Sequence, residues 1–84
     1  MLIYVWNLSP VTEEEYLRQT FEAFGQVSFA IISSTLFRNR YTGKPRGFGI
    51  VEMPDWAEAR AALEALNRRE LHGQQMIVYG SFEN

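Results

Sequence analysis

The sequence predicts an α+β domain: a four-stranded antiparallel sheet with two helices on one of its faces. Three observations point there. Runs rich in β-formers and stretches of helical periodicity follow one another in the order β-α-β-β-α-β. Both helical stretches open on a capping residue followed three positions later by Glu. The run Arg46 to Met53 separates into two unlike faces when read with the strand period of two. At 84 residues the chain has room for one domain, 1–84, with a small core.

Leu2-Ile3-Tyr4-Val5-Trp6 is the first strand, with Ile3 and Val5 on one face and Tyr4 and Trp6 on the other. Asn7-Leu8-Ser9-Pro10 is a turn. Thr12 is the expected N-cap of the first helix, with Glu15 reaching back to it. Leu17, Phe21 and Phe24 form the apolar stripe of that helix, and Gly25 is its expected C-cap. Val27 to Ser33 is a second strand, apolar on both faces, so its parity stays open.

Ser34 to Pro45 is a long loop turning at Thr42-Gly43-Lys44-Pro45. The strand that follows shows Arg46, Phe48, Ile50 and Glu52 on one face, a wet and ligand-facing set. It shows Gly47, Gly49, Val51 and Met53 on the other, where the glycines let a helix come close. Asp55 caps the second helix, Ala59, Ala62, Leu63 and Leu66 make its stripe, and Asn67 ends it. Leu71 to Gln74 is a turn, Gln75 to Tyr79 the last strand, and Gly80 to Asn84 a frayed tail. The order is that of a ferredoxin-like split βαβ sandwich, whose second sheet face is left uncovered.

Apolar content of 46% and charged content of 21% are those of an ordinary globular domain. With no cysteine, disulfides and thiolate metal sites are excluded, and no cofactor is expected. No apolar run approaches the roughly 18 residues of a membrane span, so no membrane partner is expected. Met1 leads straight into a strand without the pattern of a signal peptide, and the expected location is cytoplasmic. The formal net charge is −2, which alone disfavours nucleic acid. Its distribution says otherwise. No acid occurs between Glu22 and Glu52, and four of the eight basic residues, Arg38, Arg40, Lys44 and Arg46, lie in that interval. A local basic patch matters more to a phosphate than the total does.

The element order, Ile3-Tyr4-Val5-Trp6-Asn7-Leu8 in the first strand and Arg46 to Met53 in the third together resemble the RNA recognition motif (RRM) family. Leu17, Phe21, Phe24-Gly25, Val27, Ala59, Ala62-Leu63 and Leu66-Asn67 are similar to the family's core positions. The compact chain is similar to stand-alone bacterial members. Four features depart from the pattern: Ile50 and Met53 stand where the family has aromatics, Trp6 where it often has a small residue, and Ser34 to Phe37 lengthen the loop between the second and third strands.

The resemblance implies single-stranded RNA on the open sheet face, bound without catalysis. Tyr4 would stack one base, Phe48 pack against sugars and Arg46 pair with a phosphate. Ile50 offers no π-face, so one platform is weakened, and Trp6 or Tyr79 is the candidate replacement. Phe29 or Ile31 is a further candidate, subject to the parity of its strand. Arg38, Arg40 and Lys44, flanked by Phe37 and Tyr41, would form a basic funnel for phosphates. Single-stranded DNA is a second expected ligand, because stacking does not require a 2′-hydroxyl. Glu52 either accepts from a base amino group or only keeps the face soluble.

Structural readings compete with these. Tyr4 and Phe48 suit ordinary sheet packing, and Trp6 suits an apolar patch or a partner protein. The basic loop suits a solvated turn. Arg68 and Arg69 are expected on the far side, and the lone His72 in a turn carries no functional expectation. Asn7-Leu8-Ser9 has the form of a glycosylation acceptor, discounted without a secretory signal. Gly43-Lys44 lacks the rest of a P-loop. The alternative function is a protein-interaction module on the same scaffold, favoured by Ile50, the net negative charge and Trp6. A monomer is expected, with a dimer left open. An enzyme is disfavoured, since no Asp/Glu pair is placed by motif and Thr12-Glu13-Glu14-Glu15 repels phosphate.

Overall fold

The computed structural model describes residues 1–33 and 47–81. The elements are β1 (Leu2–Leu8), α1 (Glu14–Glu22), β2 (Phe29–Ser33), β3 (Gly47–Glu52), α2 (Trp56–Leu66), β4 (Glu70–Leu71), β5 (Gln74–Gln75) and β6 (Ile77–Gly80). The main sheet is antiparallel with strand order β2-β3-β1-β6, and β4 and β5 form a separate hairpin. This is the predicted sandwich, with β1 and β3 side by side at its centre. Ile3 faces Val51 and Tyr4 faces Ile50 across that pair.

The core lies between the sheet and the helices. Ile3 and Val5 of β1, Val51 of β3, Leu17 and Phe21 of α1, and Ala59, Ala62 and Leu66 of α2 are wholly buried, as the two periodicities require. Ala30 fixes the parity of β2 by turning inward. Gly49 lies beneath α1: a Cβ there would stand 2.9 Å from Leu17 Cδ2. The glycine therefore sets how closely the helix approaches the sheet.

The structure corrects the expected start of the first helix. Its N-cap is Glu13, with no side-chain cap. The Thr12 hydroxyl is instead 2.8 Å from Nδ1 of His72. Thr12 is buried one position before the N-cap, with its hydroxyl engaged by the β4–β5 hairpin rather than by the helix. The His72 ring packs on Tyr16 at 4.5 Å between centroids, so this histidine fastens the hairpin to α1. The C-cap is Ala23, two residues before Gly25. The second helix follows expectation: Asp55 Oδ1 accepts from the Glu58 amide at 3.0 Å, and Asn67 is the C-cap.

The last strand is interrupted, with Gln75 in β5 and Met76 turning inward before β6 begins at Ile77. Gly80 belongs to β6 rather than to a tail, and residues 82–84 lie outside the described residues. β1 runs past Trp6 through an irregularity at Asn7, whose φ is +62°. Its side-chain amide donates to the Gln75 carbonyl, and Gln74 Nε2 donates back to the carbonyls of Asn7 and Leu8. Each edge strand has one backbone amide taken by a side chain: Glu14 accepts from Ile32 on β2, and Asn67 from Val78 on β6. Among the described residues no helix is long and apolar enough to cross a membrane.

Candidate nucleic-acid interface

With both helices on one side, the other sheet face carries the outward residue of every strand pair. Alternation from buried Ile3 and Val5 puts Tyr4 and Trp6 there, and alternation from buried Gly47, Gly49 and Val51 adds Phe48, Ile50 and Glu52. Phe29 and Ile31 of β2 join them, Ile31 at 49% exposure. Ile77 and Tyr79 of β6 complete the face, Tyr79 at 48%.

Four rings form one connected surface. Tyr4 and Phe48 are near-parallel, 15° apart with centroids at 6.2 Å. Tyr4 lies 5.7 Å from Tyr79 on its other side. Trp6 packs obliquely on Phe48 at 4.4 Å, and its indole N–H donates to the Tyr79 hydroxyl. Trp6 therefore partly roofs Phe48 and links β1 to β6, while Tyr4 sits between them. Beside this surface, Ile31, Ile32, Ser33, Phe48 and Ile50 line an apolar cleft of about 190 Å³.

The described residues of the four sheet strands contain one acidic or basic side chain, Glu52. It is half-buried at the end of β3, opposite Leu2 and Phe29. The cationic part of the expected site, Arg38, Arg40, Lys44 and Arg46 with the flanking Phe37 and Tyr41, lies outside the described residues. Arg68 and Arg69 are exposed in the connection from α2 to β4. Among the described residues no cluster of His, Asp or Glu is arranged to hold a metal.

Of the predicted site residues, Tyr4, Trp6, Phe48, Ile50 and Tyr79 meet on this face. Sequence reasoning missed Ile77, and it missed Trp56, which stands at the start of α2 close to Glu52. An aromatic at the first turn of a helix that follows the ligand-facing strand was the available signal.

The chain is similar to known proteins. The chain is 41% identical over 76 residues to "Glycine-rich RNA-binding protein 1" of Mycosarcoma maydis, covering 90% of this chain and 41% of that protein. It is also 41% identical to "Putative RNA-binding protein RbpA" of a Nostoc strain, covering 93% of this chain and 72% of the relative. The chain thus spans less than half of the fungal protein and most of the cyanobacterial one. Among solved structures, RNA Binding Protein PG1 superposes with a TM-score of 0.79 at 39% identity, over 100% of this chain and 96% of the other. Residues 3–77 match the RNA recognition motif family, and the chain belongs to that family.

Proposed function

We propose that the chain binds single-stranded RNA across its open sheet face, as a monomer and without catalysis. The observation that carries this reading is the connected set Tyr79–Tyr4–Phe48–Trp6 on the sheet face opposite the helices, in a chain of this family. Relatives of this chain bear RNA-binding names. Single strands leave base faces free to stack on such rings, and the loss of one platform at Ile50 is met by Trp6 and Tyr79. In this reading Tyr4 and Trp6 take bases, Phe48 packs on sugars, and Arg46, Arg38, Arg40 and Lys44 receive phosphates. Single-stranded DNA binds by the same stacking.

The test is a two-dimensional NMR titration with a randomised short RNA pool. Shifts concentrated at Tyr4, Trp6, Phe48 and Tyr79 are expected. If the four cations all pair with phosphates, log K against log salt slopes at about −2.8, four contacts at 0.7 each. A second reading, a protein-interaction module, draws on the exposed Phe29, Ile31 and Ile77 around the rings. Silence toward every pool at low salt, with self-association that depends on Trp6, would decide for it.

A further inference from the structure

The cleft of about 190 Å³ beside the rings is lined by Ile31, Ile32, Ser33, Phe48 and Ile50. Register accounts for its shape. Ile31 pairs with Ile50, and Ser33 with Phe48, across β2 and β3. Small Ser33 opposite large Phe48 leaves a hollow, walled by the Phe48 ring and the outward isoleucines. Ser33 brings the one hydroxyl among the five side chains, and the other four are hydrocarbon. Sites for whole small molecules run to about 300–1,000 Å³, so this cleft takes one edge of a larger ligand. It shares Phe48 with the four-ring surface, so the edge it takes belongs to what lies on the rings.

Resting on the RNA-binding reading, we propose that the cleft seats the C5-methyl group of a 5-methylated pyrimidine in a bound single strand, with the Ser33 hydroxyl beside the substituent at C4. A thymine-type base carries its methyl group next to the O4 acceptor. Apolar side chains take such a methyl group, and a serine hydroxyl pairs with the polar atom beside it. Uracil and cytosine carry only hydrogen at C5, so the ordinary RNA bases leave the hollow unfilled. Burying one methyl group against hydrocarbon is worth roughly a fourfold gain in affinity. The same group comes from thymine in DNA or from a methylated pyrimidine in RNA.

The experiment is fluorescence anisotropy with the full chain and four labelled octamers: oligo-U, oligo-5-methyluridine, oligo-dU and oligo-dT. Within each pair the methylated octamer is expected to bind roughly fourfold more tightly. The tighter of the two methylated octamers identifies the source of the base. Two variants locate the effect, since a methyl group also changes how a base stacks. Ser33→Val fills the hollow, and Ile31→Ala removes one wall. Ile31 is 49% exposed and Ser33 is half-buried at the end of β2, so neither change empties the core. Both should bring the paired affinities together while leaving oligo-U binding in place. Equal affinities within each pair in wild type, or a methyl preference that either variant keeps, overturns the subsite and leaves RNA binding in place. Equal affinities with self-association that Ile31→Ala abolishes would give the cleft to a second copy and overturn it likewise. Absence of binding to any octamer at low salt overturns both.

Discussion

The indole N–H of Trp6 donates to the hydroxyl of Tyr79, tying adjacent strands whose residues are 73 positions apart in the chain. The bond runs diagonally, since Trp6 pairs in register with Ile77 and Tyr79 with Tyr4. It holds the indole where it also touches Phe48, and so presets the ring surface before any ligand arrives. Preset groups lose less entropy on binding.

Tyr79→Phe removes the acceptor and keeps the ring. The donor is exposed to water, so the stability loss should stay below about 1 kcal/mol in urea unfolding. The Trp6 indole resonance should move and broaden in NMR spectra, and affinity for short RNA should fall less than in Phe48→Ala.

Phe48 touches both Tyr4 and Trp6, whereas Arg69 stands in the connection after α2. Phe48→Ala should lower RNA affinity by about tenfold to a hundredfold, and Arg69→Ala by much less. Equal losses in anisotropy titrations would refute binding on the sheet face.

Ile50 faces Tyr4 on one side and Ile31 on the other. Ile50→Phe adds a π-face next to Tyr4 and should tighten RNA binding by roughly tenfold, the lower part of the range for one stacked base. Weaker binding would mean that the apolar cleft beside Phe48 is itself fitted to the ligand.

Glu58 accepts from the Gln26 amide at 3.1 Å and joins α2 to the turn after α1. The space beside Gly25, whose φ is +155°, is filled by the Glu58 side chain. Glu58→Ala should cost about 1 kcal/mol in chemical denaturation, and Gly25→Ala about 1–3 kcal/mol. The double variant should recover only part of the Gly25→Ala cost, because alanine at position 58 keeps the Cβ that would stand 2.7 Å from the new methyl group and the positive φ is unchanged.

Much of this was legible in the residues. Asp55 with Glu58 gave the second helix its start, and Leu17 with Phe21 gave the first helix its buried stripe. Tyr4, Phe48 and Tyr79 were placed on the open face by period two alone. Thr12 misled because its hydroxyl had a long-range alternative, His72, sixty residues away, and local pattern cannot weigh such competition. The parity of β2 was hidden by Phe29-Ala30-Ile31-Ile32, where size and not polarity decides: small Ala30 fits under the helices and bulky Phe29 and Ile31 stay out. The Trp6–Tyr79 bond depends on sheet register, which composition does not carry.

The side-chain acceptors on Ile32 and Val78 have a further effect when copies crowd together. A second strand pairing at these positions would first have to displace Glu14 from the Ile32 amide or Asn67 from the Val78 amide, a cost of about 1 kcal/mol at each site.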